Sequence, residues 1–192
     1  MARKNEFKSD KPHSGFWGKL YLTQKQRKEV LKWSLYGAML LVLSLLQDVV
    51  LCRVQLFGAT TELVPVGIFL ICILEGAESG SIFALVSSLL YLFSGTAAGP
   101  YSMVLITVLA VGVTIFRQAY LQKGLAAAIL CAGIAMLAYA LLQFVMGLFL
   151  GLTIPVRIVG FLITAGLSII AIPILYPIAL SIGTIGGETW KE

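Results

Sequence analysis

Few residues in this chain could do chemistry, and most of them stand at the edges of apolar runs. Glu75 and Glu78 lie in the stretch EGAESGSIFALVSSLLYLFSG, between two runs that are each short for a bilayer crossing. Asp48 interrupts the first apolar run, one helical turn before Cys52 and Arg53. An ionisable side chain inside a membrane segment is a functional candidate by default. Asp48 also has a plainer reading, as an interfacial acid paired with Arg53 or water. Glu62 precedes Pro65 where a second helix would begin, and the helix dipole favours a carboxylate there. Arg117 and Lys123 flank QAYLQ and are placed either to pair with Glu75 or Glu78 or to anchor helix ends. Tyr139 and Gln143, four residues apart, share one helix face and fit a polar pocket or an interhelical hydrogen bond. Arg157, after Pro155, fits a snorkelling interfacial base.

These residues form no catalytic set. The chain has a single histidine, His13, so neither a Ser/His/Asp arrangement nor a histidine cluster for a metal can be assembled, and no phosphate-cradling loop is present. Cys52, Cys72 and Cys131 have no metal or redox spacing and read as small buried hydrophobes. No cofactor is expected. An ion transporter would show more acids, or helices broken by paired Gly and Pro, near mid-membrane. The pattern points to contact between proteins rather than to chemistry.

The elements that must position these residues are membrane helices. The chain has 192 residues, 59% of them hydrophobic and 12% charged, against about half and about a quarter in a soluble domain. Nine of its fourteen Lys and Arg fall within the first 32 residues, opposed there by Glu6, Asp10 and Glu29. By the positive-inside rule this arm belongs in the cytoplasm. It reads as a topology signal drawn to anionic head groups rather than as a nucleic-acid site, and it lacks the plan of a cleavable signal peptide. GFWGKLYL suits a segment at the head-group level, and Thr23 with Gln26 fits a capping box that opens the first helix.

Six apolar runs follow: 32–52, 64–74, 79–93, 101–116, 125–152 and 158–180, the last containing Pro173 and Pro177. The expectation is an all-α bundle of six transmembrane helices with both termini inside. It comprises a basic arm over 1–22, a membrane domain over 23–184 and a short tail over 185–192. Glu75 and Glu78 would mark the cytoplasmic turn of a short hairpin, facing the interface, with Gly76, Ala77 and Gly80 giving a tight backbone. Gly80, Ala84 and Ser88 recur every four residues, a narrow face that lets another backbone come close. Ala128 with Ala132, Gly147 with Gly151, and Gly160 with Thr164 repeat the device.

Between about residues 45 and 120 the chain resembles the bacterial rod-shape-determining MreD family. Three stretches carry the likeness: Thr61-Glu62-Leu63 before the second run, the Glu75-Gly76-Ala77-Glu78-Ser79-Gly80 turn, and Tyr91-Leu92-Phe93-Ser94-Gly95 with Gly99 after it. Thr61-Glu62 stands where Pro-Asp is usual, and Tyr91 where an acid is common. The resemblance implies a non-enzymatic subunit of the cell-elongation machinery in the bacterial inner membrane. Its implied partner is the single-span protein MreC, and through it MreB filaments, the glycosyltransferase RodA and a class B transpeptidase. The MreD fold is similar to that of the S components of energy-coupling-factor vitamin transporters, so a vitamin-capturing subunit is the alternative. An S component needs a polar pocket near the outer face and alanines four apart on its first helix; Ser34 and Ala38 match the latter weakly. Docking of a partner's transmembrane segment is expected on Gly80, Ala84 and Ser88, with Ser34 and Ala38 of the first helix beside them.

Overall fold

The computed structural model describes residues 24–53, 59–121 and 124–185. The basic arm, His13, Thr23 of the expected capping box, Lys123 and the tail beyond Ile185 lie outside the described residues. The elements are helices: α1 Gln24–Leu45, continued by a π-helical segment Leu46–Leu51; α2 Leu63–Glu75; α3 Ala77–Phe93; α4 Pro100–Tyr120; α5 Leu125–Phe149; a 3₁₀ turn Pro155–Arg157; and α6 Ile158–Ile185. Each apolar run of the sequence became one helix. The α1 segment with its π extension, α4, α5 and α6 are long and apolar enough to cross a membrane, whereas α2 and α3 are shorter apolar helices. The protein is a helical membrane protein.

α2 is the centre of the bundle. Its sequence LVPVGIFLICILE has no polar stripe, and a helix that is apolar all round must be covered all round. Every residue from Val64 to Leu74 is buried, and α2 touches α1, α3, α4, α5 and α6. Its 13 residues rise only about 20 Å, well short of a hydrocarbon core of roughly 30 Å. α2 is therefore shielded by its neighbours along its whole length. α3 is shielded on one side only, with Ile82, Leu90 and Phe93 pointing outward.

The small-residue stripe of α3 makes the hairpin close. Gly80, Ala84, Ser87, Ser88 and Tyr91 are its buried residues. A Cβ on Gly80 would lie 3.0 Å from the Cys72 Cα, so only hydrogen there permits the α2–α3 approach. The turn itself is one residue, Gly76, at φ 95°, a region L side chains rarely adopt. Farther along, Ser88 Oγ and Thr107 Oγ1 are 3.0 Å apart and tie α3 to α4. Ala128 and Ala132 are likewise buried in α5. The other two pairs correct the sequence reading in part. Gly147 is buried, but Gly151 is exposed in the turn that closes α5, and Gly160 has nothing within 4 Å of an added Cβ. Cys52 is exposed, while Cys72 and Cys131 are buried as expected. Helix α6 runs through Pro173 and Pro177, which membrane helices tolerate where neighbours satisfy the freed carbonyls.

Gly80→Ala forces the α2 and α3 backbones apart. It is expected to lower the stability of the detergent-purified protein by about 1–3 kcal/mol, despite alanine's better helix propensity, about 0.5–1 kcal/mol. Gly112→Ala on α4, where an added Cβ meets nothing within 4 Å, is expected to leave the melting temperature unchanged or slightly raised.

Candidate functional site

The polar side chains of the described core gather at the two ends of α2, where a helix leaves backbone groups without partners. At the basic end, Glu75 is the last residue of α2. Lys32 Nζ lies 2.5 Å from Glu75 Oε2, and Tyr36 Oη donates to Glu75 Oε1 at 2.8 Å. Lys32 and Tyr36 are one turn apart on α1, so a single helix face satisfies both carboxylate oxygens. The Lys32 and Glu75 side chains are 10% and 2% exposed. Trp33 and Phe83 stack beside them with ring centroids 5.4 Å apart. Two expectations are corrected here. Glu75 turns into the protein rather than toward the interface, because the end of a covered helix offers its carboxylate no path to water. Arg117 does not pair with Glu75 or Glu78; it is buried on the inward stripe of α4, and its Nη1 donates to the Ile73 carbonyl in the last turn of α2. Glu78 is exposed, as expected of a turn acid.

At the opposite end the decisive residue is Gln47, which the sequence reading passed over in favour of its neighbour Asp48. The Gln47 Oε1 accepts hydrogen bonds from the Leu63 and Val64 backbone N–H groups at 2.8 and 3.1 Å. Its Nε2 donates to Tyr91 Oη at 3.3 Å. One amide on α1 thus caps α2 and reaches α3. Its signal was available: Tyr36, Leu40, Leu43 and Gln47 recur at helical spacing and are all buried. The π turn, closed by Cys52 N–H donating to Gln47 O at 2.9 Å, was not legible. Ser168 of α6 accepts the Glu62 N–H at 2.9 Å and donates to Thr164 O at 2.7 Å. Asp48 accepts a long hydrogen bond from Ser44 Oγ, 3.4 Å, one turn earlier; the expected pair with Arg53 is not formed.

Beside this end opens a cleft of about 560 Å³, whose polar lining is Thr60, Glu62, Gln143, Arg157 and Thr164. It joins the loop before α2 to α5 and α6. Glu62 and Arg157 share it without an ion pair. Gln143 is 4% exposed, lines the cleft and has no hydrogen-bond partner among the described residues. Of the expected α5 pair, only Gln143 lines this cleft. Tyr139 is fully buried against Phe69, ring centroids 6.4 Å apart, and its hydroxyl has no partner among the described residues. Glu62, in the loop ahead of α2, has its carboxyl pushed by burial from 4.5 up to about 7.

The α3 stripe on which docking was expected packs within the chain. Gly80, Ala84 and Ser88 are buried against α2 and α4 of the same chain. Ser34 and Ala38 are exposed on α1, but α1 and α3 scarcely meet. Between them runs an apolar groove of about 450 Å³, walled by Trp33, Gly37 and Leu41 on α1 and by Phe83, Val86 and Leu90 on α3. On the other flank of α1 a second apolar groove, about 700 Å³, runs beside its contact with α6, with Ala38 on its wall.

No protein-family profile, curated protein or solved structure matches the chain.

Lys32→Met alone strands a buried carboxylate and is expected to cost about 3–5 kcal/mol, whereas Lys32→Met with Glu75→Met recovers most of that loss; thermal unfolding of the single and double variants in detergent measures the coupling. The Glu62 carboxyl binds its proton more tightly in the folded than in the unfolded chain. Its effect is therefore nil below about pH 4.5, and stability falls as pH rises through about 7. Melting curves across that range are expected to flatten in Glu62→Gln.

Proposed function

We propose that the protein is a non-enzymatic docking subunit of the MreD type, which holds a single-span partner of the MreC type in the membrane and so links MreB filaments to the wall-building RodA and its transpeptidase. All six helices cross or enter the bacterial inner membrane, with the basic arm and the C-terminus inside. The Glu75–Ala77 turn lies at the same end as Lys32 and therefore on the cytoplasmic side.

The observation that carries this reading is the α1–α3 groove. Its lining is mostly apolar and includes the small residues Gly37, Ser44 and Ser87, and small residues are what let a second helix pack closely in a bilayer. From Trp33 to Ser44 it follows α1 for about 16 Å, enough for roughly three turns of one partner helix. The docking surface thus moves from the Gly80 stripe to the adjoining side of α3, with Gly37 replacing Ser34 and Ala38. The sequence features behind the family resemblance agree with a holding role.

A second reading is favoured by one observation. The polar cleft at the outer end of α5 and α6 is where a vitamin-capturing S component would hold its ligand.

Gly37→Leu separates the two readings. An added Cβ at Gly37 meets nothing within 4 Å, so the chain folds, but the groove is filled. Recovery of a single-span partner on purification from native membranes is expected to fall at least about tenfold, a change of roughly 1.4 kcal/mol, and depletion of the protein is expected to round a rod-shaped host. Unchanged recovery removes the groove as the docking surface. Rods that stay intact and fail only under vitamin limitation, with a small metabolite in the purified protein, replace the first reading with the second.

A further inference from the structure

The cleft beside the α2 N-terminus differs in kind from the two grooves that flank α1. Those are apolar; this one presents an acid, a base, an amide and two hydroxyls. Its volume, about 560 Å³, falls in the range of small-molecule sites, roughly 300–1,000 Å³.

The three strongest groups are all unspent. Gln143 is 4% exposed and lines the cleft, and its amide makes no hydrogen bond within the described chain. Glu62 uses its backbone N–H on Ser168, and its carboxylate is left without a partner. Arg157 is exposed at the mouth, and its guanidinium offers a donor fork suited to phosphate or carboxylate. Were the cleft a packing defect, its acid and base would close on each other; they face the same space and do not pair.

We propose that this cleft binds a compact zwitterion carrying a primary ammonium and a phosphate or carboxylate, with Arg157 taking the anion, Glu62 the ammonium and the Gln143 amide a polar group between them. A lone anion would leave Glu62 unmatched and a lone cation would leave Arg157 unmatched. Two sources supply this chemistry: the phosphoethanolamine head of a bilayer lipid and a free soluble zwitterion. The proposal rests on the cleft alone and holds whether or not a partner fills the α1–α3 groove.

The test uses the full chain in phosphatidylglycerol nanodiscs, titrated with O-phosphoethanolamine and, separately, with β-alanine, while the melting temperature is read. At least one is expected to raise it, with phosphate and ethanolamine alone giving no rise at the same concentration. Arg157→Met, at an exposed position, and Gln143→Leu, of similar volume, are each expected to raise the half-saturating concentration about tenfold or more. Should phosphatidylethanolamine in the discs raise the melting temperature and abolish the response to the soluble probes, the occupant is a lipid head group; should it change nothing, the occupant is a free molecule. No shift with any of these three probes, an equal shift with phosphate or ethanolamine alone, or a shift that survives both substitutions overturns the proposal. Partner recovery is expected to be unchanged in Arg157→Met, which separates this test from that of the groove.

Discussion

A helix too short to span a bilayer, and covered on every side, has few places to leave its unpaired backbone groups. That constraint on α2 organises the molecule. In water the first N–H groups and last carbonyls of a helix can be solvated; inside a bundle each costs free energy unless a neighbour supplies a partner. α2 receives those partners from three helices. Gln47 of α1 serves the Leu63 and Val64 N–H groups, Ser168 of α6 serves Glu62, and Arg117 of α4 serves Ile73. The ion pair and hydroxyl that hold Glu75 extend the same logic to a charge.

This arrangement explains why polar residues are so few and so placed. An apolar helix in lipid gains nothing from apolar neighbours that it does not already gain from acyl chains. Close packing and polar pairing must therefore hold the bundle together. The Gly80–Cys72 approach supplies the first. The residues at the two ends of α2 supply the second. α1 is joined to the rest chiefly through its face of Tyr36, Leu40, Leu43 and Gln47, with Lys32 beginning that face. Its flank toward α3 makes little contact and leaves a groove; on the other flank α1 packs on α6, where Tyr36 Oη donates to the Ala179 carbonyl at 3.4 Å, and a second groove runs beside that contact.

How much of this was legible in the sequence follows from the same physics. Apolar runs and the Gly-rich turn are local signals, and they placed all six helices and a tight turn over 75–78, although the structure shortens that turn to Gly76 alone. The partners of polar groups are not local. Glu75 and Lys32 are 43 residues apart, and nothing in either neighbourhood says that α1 rather than α4 would supply the base. The Gly80, Ala84 and Ser88 spacing announces a close helix contact but not whose helix makes it; the chain uses that face for itself. Gln47 was overlooked because an acid next to it drew attention, although its place on the buried stripe marks it as the residue that must find a partner inward. Arg157 and Gln143 come together only because the turn after α5 brings the start of α6 back over the end of α5, a tertiary fact without a sequence signature.

The two ends of α2 solve unlike problems, and the difference separates holding from binding. At the basic end every strong polar group has a protein partner: Lys32 with Glu75, Tyr36 with Glu75, Arg117 with a carbonyl. That end fixes α1 against α2. At the other end the backbone is satisfied but side chains are not: the Glu62 carboxylate, the Gln143 amide and the Arg157 guanidinium all border one space. Leaving polar groups unmatched is a standing cost in a structure otherwise frugal with them. A chain that needed only rigidity would have closed this end as it closed the first. Because Gln47 caps α2 immediately beside Glu62, the helix that walls the partner groove also fixes the rim of the cleft. The groove lies between α1 and α3 and the cleft between the loop before α2, α5 and α6, so the two share no lining residue and are linked only through the way Gln47 holds the start of α2.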